Sequence, residues 1–333
     1  MTRFHAIGGL FLALLSIGCQ PAPTPQPPAG VETPPPAVET PPPAAETPEP
    51  ATEVAAPVTV DDVAAWAEKS GADVKTDAEG HLVLLDFSKA AITDDDMQRL
   101  AGQEYLKEVR LGGSPIGDAS LKVLSELPRL ATLKIDGTKV TDEGLKHLAA
   151  MKGLEGLYVG DTAVTDAGAA HLAGLESLKR LRLSKTKIGD AALEKLAACP
   201  NLEDLDVSET GVADAGVTAL AACKKLKKLN LYTTGTTDAA LDAVAQIPSL
   251  EWLNLDQTKV TDAGVPKLEP LANLTFLHLG RTTVGDAAIP SLLKFKKLKT
   301  LHVTRTKVTE EGAKKLAEAL PDCEVLSGDP EQK

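Results

Sequence analysis

Few side chains in this sequence could do chemistry, and most of them recur at one fixed spacing. An acidic residue returns every 24 residues from Asp94 to Glu310, and His278 and His302 are separated by the same interval. Two imidazoles without an evident third ligand make a poor metal site, so we expect no bound metal and no cofactor. The sequence contains no serine-nucleophile elbow, no glycine-rich phosphate loop and no zinc-protease motif. These observations predict a protein that is not an enzyme.

The acidic series precedes a helical pattern each time. Its members are Asp94, Asp118, Asp142, Asp166, Asp190, Asp214, Asp238, Asp262, Asp286 and Glu310. A carboxylate in this place can accept the free amide protons of the first helical turn, and it favours the positive end of the helix dipole. We therefore interpret the series as caps of their own helices and not as paired acids and bases.

The 24-residue spacing governs the whole sequence between residues 82 and 321. Each period opens with a leucine: Leu82, Leu106, Leu130, Leu154, Leu178, Leu202, Leu226, Leu250, Leu274 and Leu298. Repeats of about 20 to 50 residues indicate a stacked fold in which each unit buries its apolar face against its neighbours. Such a protein presents an extended surface, which indicates recognition.

Two apolar patterns divide each repeat. Apolar residues at repeat positions 4 and 6 alternate as in a short strand with one buried face, and those at positions 16, 19 and 20 follow one face of a helix. Glycine at position 15 in five repeats leaves room for a close approach to the adjoining backbone. Threonine fills position 9 from Thr138 to Thr306, and we expect these hydroxyls to hydrogen-bond the turns from one repeat to the next.

Side chains at positions 3, 5, 7 and 8 are expected to point away from the core. Strands lie about 4.8 Å apart whereas packed helices need about 10 Å, so the sheet should form a concave face. Aromatic and arginine residues dominate interaction hot spots, which predicts a ligand site centred on Trp252 and Phe276; alternatively, these two rings only cover one another. The predicted site residues are Tyr158, Arg180, Arg182, Asp206, Lys228, Asn230, Tyr232, Trp252, Asn254, Asp256, Phe276, His278, Arg281 and His302.

The unit LxxLxLxxTxVTDAGLxxLAxL resembles the leucine-rich repeat in its bacterial variety, over residues 82–321. The resemblance implies an α/β solenoid, a horseshoe with a parallel concave sheet and short convex helices, and a protein or peptide ligand on the concave face. That family usually has asparagine at position 9, where this chain has threonine, so no asparagine ladder is expected. Pro266, Pro270 and Pro290 predict short or irregular helices in repeats eight and nine, because proline removes a backbone donor.

Residues 1–18 have the pattern of a secretory signal peptide, with Arg3 before an apolar run. Gly18 and Cys19 resemble the bacterial lipoprotein cleavage box, which implies a lipid anchor on Cys19; ordinary secretion is the alternative, because Ser16 replaces the usual aliphatic residue. Residues 19–57 are rich in proline, alanine, glutamate and threonine and have no aromatic residue. Such a segment cannot bury enough apolar surface to fold, and we interpret it as a disordered spacer.

Residues 58–81 and 322–333 are expected to cap the repeats, because a terminal repeat has one uncovered side. The first cap is predicted to contain a helix from Asp61 to Ser70 and a strand paired with the first repeat. Pro321 to Leu326 is predicted to add a last partial strand. The tail from Ser327 onward is expected to fray.

Charge and cysteine usage narrow the classes of partner. The formal net charge of −12 argues against nucleic acid. Cys199 and Cys223 occupy the same position of adjacent repeats and are predicted to be buried thiols, a disulfide between them being the alternative in an exported protein.

These observations favour a non-enzymatic protein-binding module displayed in the bacterial cell envelope and held to a membrane by a lipid on Cys19. A first alternative is binding of a cell-wall or surface glycan, with Tyr232, Trp252 and Phe276 as stacking platforms. A second alternative is a structural envelope spacer without a dedicated ligand.

Overall fold

The computed structural model describes residues 60–329, so that the predicted signal peptide, lipid anchor and spacer lie outside the described residues. Within this range the chain forms a twelve-stranded sheet whose strands are neighbours in the order of the sequence. The first pair is antiparallel and the later pairs are parallel. None of the helices in residues 60–329 has the length and apolar character needed to cross a membrane.

The strands are short, and most contain three residues. They are β1 (Asp73–Thr76), β2 (Leu82–Asp86), β3 (Glu108–Arg110), β4 (Thr132–Lys134), β5 (Gly156–Tyr158), β6 (Arg180–Arg182), β7 (Asp204–Asp206), β8 (Lys228–Asn230), β9 (Trp252–Asn254), β10 (Phe276–His278), β11 (Thr300–Thr304) and β12 (Glu324–Gly328). In β9, the middle residue Leu253 is buried and the flanking Trp252 and Asn254 are half-exposed, as the alternating pattern predicts.

The opposite side of each repeat is helical. The α-helices are α1 (Val60–Lys69), α2 (Asp94–Met97), α3 (Asp118–Ser125), α4 (Asp142–Leu148), α5 (Asp166–Ala170), α6 (Asp190–Leu196), α7 (Asp214–Ala219), α8 (Leu241–Val244), α9 (Ile289–Leu292) and α10 (Glu310–Ala319), and the 3₁₀ helices are Gln98–Leu100, Leu220–Ala222, Asp238–Ala240, Val265–Leu268 and Asp286–Ala288. Repeat eight has only the 3₁₀ helix that contains Pro266, and repeat nine has a 3₁₀ turn followed by the four-residue α9. The prediction of irregular helices there is confirmed.

One continuous core runs between the sheet and the helices. In repeat three it contains Leu130, Leu133, Ile135, Val140 and Leu145, each almost fully buried, and the same positions are buried in the other repeats. Burying one such side chain stabilises the fold by about 1.5–3 kcal/mol.

The three cysteines in the described range are free buried thiols. Burial, with a smaller contribution from the neighbouring Cys223, raises the pKa of Cys199 to about 11. Burial also raises the pKa of Cys223. The thiols of Cys199 and Cys223 therefore stay protonated and act as small apolar residues of the core.

The threonines at position 9 hydrogen-bond within their own repeats. The Thr138 hydroxyl donates to the carbonyl oxygen of Ile135 at 2.7 Å, and the same bond recurs in every later repeat. The prediction that these hydroxyls bond from one repeat to the next is therefore wrong. Each hydroxyl instead donates to the carbonyl oxygen three residues earlier in its own repeat, which is within reach. This bond closes the turn after each strand.

The aspartates at position 13 connect successive repeats. Asp142 Oδ1 accepts the backbone N–H of Thr165 at 2.7 Å, and its Oδ2 accepts the Thr165 hydroxyl at 2.6 Å. The bond to the backbone N–H at position 12 of the following repeat is made by all nine aspartates. The prediction that each carboxylate caps its own helix is wrong. The helix that follows Thr165 is capped by the Thr165 hydroxyl, which accepts the N–H of Ala167.

Glycine at position 15 makes room for these carboxylates. A Cβ on Gly168 would lie 2.2 Å from Oδ1 of Asp142, and similar contacts below 2.8 Å would arise at the other four glycines of this column. In repeat five the glycine is at position 12 instead of position 15. Position 12 is Gly189, and Ala192 at position 15 donates its N–H to Asp166 Oδ1 at 3.2 Å. The close approach that the sequence predicted is thus an approach to the carboxylate of the preceding repeat.

The two ends of the solenoid are covered by different elements. At the amino-terminal end, α1 buries Val63 and Ala67, and β1 pairs with β2. At the carboxyl-terminal end, β12 pairs with β11 through Gly328. Ser327 and Gly328 therefore belong to the sheet and not to a frayed tail as predicted, because their backbone continues the parallel ladder.

Replacing Asp142 by alanine should lower the free energy of unfolding by about 1–3 kcal/mol, because the N–H and hydroxyl of Thr165 lose their acceptor. Urea unfolding followed by circular dichroism measures the loss. Glu310→Ala is the matched control, since Glu310 holds the same repeat position but is exposed and begins α10, the last helix of the described range. That control should cost about 0.5 kcal/mol through the helix dipole alone. Equal losses in the two variants would contradict the connecting role of Asp142.

Candidate ligand-binding surface

The predicted site residues lie on β5 to β11 and on the turns that follow these strands. The strand residues occupy the face of the sheet that is turned away from the core, as expected. Their side chains are not equally available to a ligand, however, because many of them are bound to neighbouring groups. We call a charged or polar side chain of this surface committed when a hydrogen bond or an ion pair holds it, and uncommitted when it makes neither.

Four rings on β9, β10 and β11 form an aromatic cluster, which we define as Trp252, Phe276, His278 and His302. Trp252 and Phe276 stack with centroids 4.7 Å apart and planes 10° apart, and His278 and His302 stack at 4.2 Å and 14°. Phe276 contacts His302 in a tilted arrangement at 5.4 Å. Stacked rings of this kind contribute about 0.5–1.5 kcal/mol beyond their burial. The cluster is half-exposed, so that ring edges and outer faces remain open to a partner.

His278 is held by the backbone of its own turn. Its Nδ1 accepts the N–H of Gly280 at 3.1 Å, which places the proton of the neutral ring on Nε2. Burial lowers the pKa of His278 to about 4; the nearby Asp256 carboxylate opposes this shift, and His302 and Arg281 add to it. The ring is neutral at neutral pH. A Cβ on residue 280 would lie 2.6 Å from the ring, so this arrangement requires glycine there.

Three further site residues hold turns in the same manner. Asp206, Asn230 and Asn254 each accept, through Oδ1, the backbone N–H two residues along the chain, at 3.0, 3.2 and 2.9 Å. Sequence reasoning assigned these side chains to ligand binding and missed this structural role. The available signal was the recurrence of short acceptor side chains at position 5.

Asp256 is not an open ligand-binding residue, which corrects the sequence prediction. Its side chain is only 7% exposed, because the Arg281 guanidinium covers both of its oxygens. Arg281 Nε donates to Asp256 Oδ1 at 2.9 Å, Nη2 donates to Oδ2, and the guanidinium lies 5.1 Å from the ring centre of Tyr232. Hydrogen bonding to Asp256 raises the pKa of Arg281. Breaking one partner of such a buried pair leaves an uncompensated charge, so we interpret these three residues as a structural unit.

Tyr158 belongs to a second cluster on β4 to β7. Its ring is contacted by the ammonium of Lys134 at 4.9 Å and by the guanidinium of Arg182 at 5.3 Å, both of which are cation–π contacts. Arg182 Nε in turn lies 3.3 Å from Asp206 Oδ2. The structure therefore places Tyr158 apart from the aromatic cluster, although the sequence prediction grouped them together.

A cavity of about 270 Å³ lies between the two clusters, lined by Arg182, Asp204, Asp206, Lys228, Asn230 and Trp252. The predicted ligand set does not contain Asp204. Burial raises the pKa of the Asp204 carboxyl, and the charge of Lys228 opposes this shift. Within residues 60–329, the side chains of Arg180, Asp204 and Lys228 make no hydrogen bond and no ion pair closer than 4.0 Å. These three charged side chains are the uncommitted part of the surface.

A group of possible metal ligands lies elsewhere, at the turn between β1 and β2. Oxygen and nitrogen atoms of Asp77, Glu79 and His81 lie within 4.8 Å of one another. Asp77 already accepts the backbone N–H groups of Glu79 and His81 and contacts the His81 ring at 3.0 Å. We interpret this group as a stabilised turn.

The depressed pKa of His278 predicts a pH-dependent stability. Because its pKa falls from the ordinary 6.5 to about 4 on folding, the unfolded chain takes up the proton first, and stability is lost as the pH falls from about 6.5 towards 4. Between pH 7.5 and pH 5 the free energy of unfolding of the wild type should therefore fall by about 2 kcal/mol through His278, and His278→Asn should abolish this part of the fall. Asparagine does not titrate, and it can accept the same backbone N–H, as Asn254 does. Urea midpoints at both pH values test this, and an unchanged pH dependence would contradict it.

Comparison with known proteins agrees with this geometry. The Leucine Rich repeat family model matches residues 174–197, 198–221 and 296–317, and no curated protein matches the chain. Similar solved structures include internalin C2 of Listeria monocytogenes, with 24% identity, a TM-score of 0.50 and coverage of 63% of this chain and 83% of that chain. A second internalin of that organism, inlF, has 17% identity, a TM-score of 0.50 and coverage of 81% and 88%.

A further similar structure is a TDR receptor, with 13% identity and a TM-score of 0.51, covering 70% of this chain and 44% of that chain. Identities this low establish a common fold and nothing about ligands. Together with the in-register parallel sheet and the repeated helical segments, the comparisons show that the chain carries leucine-rich repeats and folds as a leucine-rich-repeat horseshoe.

Proposed function

We propose that this protein is a non-enzymatic protein-binding module whose ligand lies on the concave face of the repeats. The observation that carries the proposal is the half-exposed aromatic cluster beside uncommitted charged side chains. Hot spots of protein interfaces combine aromatic residues with arginine in this way, and Trp252 and Phe276 supply the rigid apolar area. The repeat fold supports the proposal because it exposes one long surface.

Two titratable groups of this face, His278 and Asp256, are bound within the fold, which favours binding over catalysis by these groups. His278 Nδ1 is bonded to the Gly280 N–H, and Asp256 is bonded to Arg281. A general base needs a free lone pair within reach of a substrate proton. These two groups have committed theirs to the fold.

Display in the cell envelope is the second part of the proposal. It is supported by the sequence of residues 1–18 and by Cys19, which together resemble a lipoprotein signal. Metabolic labelling with a clickable fatty acid in a bacterial expression host tests the anchor. Incorporation into the wild type and not into Cys19→Ser is expected; equal labelling of both proteins would contradict lipidation at Cys19.

Glycan binding is the second candidate, because the cavity combines the indole of Trp252 with carboxylate, amide and ammonium groups. Against it, Trp252 and Phe276 stack on each other, which covers one face of each ring. Stacking leaves a sugar at most one face of each ring, whereas a protein ligand can also pack on the ring edges, so the stacking favours a protein ligand.

Capture from an envelope extract tests the proposal. The immobilised full chain is expected to retain a protein that the double variant Trp252→Ala, Phe276→Ala loses at least tenfold, because the variant removes the aromatic contact area. Tyr158→Ala is the matched control, since Tyr158 is also a concave aromatic residue but is already covered by Lys134 and Arg182.

The captured material is identified by mass spectrometry and by glycan staining after both variants are shown to fold by circular dichroism. Equal capture by the wild type and the double variant would contradict the aromatic cluster as the main site. Capture of a glycan instead of a protein would contradict the protein-ligand proposal and support glycan binding, the second candidate.

A further inference from the structure

The charged side chains of one concave row make no hydrogen bond and no ion pair with the rest of the described fold. The residues at position 3 of β6 to β10 are Arg180, Asp204, Lys228, Trp252 and Phe276, and we call them the position-3 row. Each is the direct lateral neighbour of the next in the parallel ladder. Side chains on adjacent parallel strands therefore stand in one line across the sheet.

The position-5 row beside it is occupied by structural contacts. Asp206, Asn230, Asn254 and His278 bind turn N–H groups, and Arg182 is paired with Asp206. In the position-3 row, by contrast, the side chains of Arg180, Asp204 and Lys228 make no hydrogen bond and no ion pair closer than 4.0 Å with any described residue. The ring contacts of Trp252 and Phe276 are with one another and with the two histidines of the aromatic cluster. A ligand can therefore engage the position-3 row without breaking the fold.

The charges of the row favour an anionic partner. The row carries two cations (Arg180 and Lys228) and one carboxylate (Asp204), and the Arg182–Asp206 pair beside it is balanced. This surplus of positive charge lies within a chain whose net charge is −12. Next to it, Trp252 and Phe276 make the other end of the row apolar. The partner that complements both ends has acidic residues followed by an apolar one.

The spacing of the row selects the conformation of the partner. Strands lie about 4.8 Å apart, so that Arg180, Lys228 and Phe276, which are two strands apart, recur at about 9.6 Å. A polyproline II helix repeats every three residues, with a rise of about 3.1 Å per residue and hence about 9.3 Å per turn. An extended strand repeats its facing side chains at about 6.8 Å and an α-helix turns every 5.4 Å, so both lose register along the row.

We propose that the position-3 row binds a proline-rich acidic segment of a protein partner in the polyproline II conformation. Two carboxylates three residues apart bind Arg180 and Lys228, and an apolar residue three positions further packs on Phe276 and Trp252. Asp204, between the two cations, accepts a backbone N–H of a non-proline residue between the acids, since the polyproline II backbone has no internal hydrogen bonds. This inference rests on the proposed protein-binding function and specifies its ligand class.

Fluorescence anisotropy with labelled synthetic peptides tests the inference on the full chain. The probe EAPEAPF has acids three residues apart, and EPEAAPF has the same composition with acids two residues apart. We expect the first to bind about tenfold more tightly, because only its carboxylates match the distance between Arg180 and Lys228. Raised salt should weaken the binding.

Substitutions then locate the contact. Lys228→Glu should weaken the binding of EAPEAPF about tenfold, since it replaces an attraction to the second peptide carboxylate by a repulsion. The peptide EAPKAPF, in which the second acid is lysine, should bind this variant better than it binds the wild type. Lys187→Glu is the matched control, because it changes the charge equally at an exposed residue outside the row.

The results separate this inference from the proposed function. Equal binding of EAPEAPF and EPEAAPF, or an equal effect of Lys228→Glu and Lys187→Glu, would overturn the inference. If neither peptide binds while the capture experiment still retains a protein that the aromatic variant loses, the inference fails and the proposed function stands. If the capture experiment also shows no dependence on the aromatic cluster, both fail.

Discussion

The fold depends on the hydrogen bond that each position-13 aspartate accepts from a backbone N–H of the next repeat. A three-residue strand pairs weakly on its own, and the helices of this chain are too short to be stable in isolation. The aspartate bond, as between Asp142 and Thr165 at 2.7 Å, binds the helical side of each repeat to its neighbour while the strand ladder binds the other side. A charge-assisted bond of this kind stabilises by about 1.5–3 kcal/mol, and nine of them act in series along the solenoid.

This constraint explains the small residues that surround it. Glycine at position 15 is required where the carboxylate would otherwise collide with a Cβ, as Gly168 shows, and the helix-propensity cost of glycine, about 1 kcal/mol, is offset by the bond that it permits. Where position 12 is itself glycine, as at Gly189, position 15 can carry alanine. Repeat seven departs from this pattern: Thr237 binds Asp214 although position 15 is Ala240, and its helical segment opens with the 3₁₀ helix Asp238–Ala240.

The two rows of side chains on the concave face have different roles. Position 5 stabilises the turns, so its side chains are fixed in place by backbone N–H groups, and position 3 is left to face a partner. A binding surface gains from this division, because side chains such as Asn230 and Asn254 hold the turns while the facing residues can differ from repeat to repeat. The aromatic cluster belongs to both rows, since Phe276 stands at position 3 and His278 at position 5.

The sequence by itself determined the period, the strand and helix of each repeat, the irregular segment at Pro266 and the outward positions, because these follow from local alternation of apolar residues and from backbone chemistry. It also located the aromatic residues of the candidate site. Only the tertiary structure decided which partner each polar side chain takes: Asp142 binds the next repeat, Asp256 binds Arg281, and Asn254 binds its own turn. The physical reason is that these choices depend on distances of a few ångströms between stacked repeats, which the pattern of residue types does not contain.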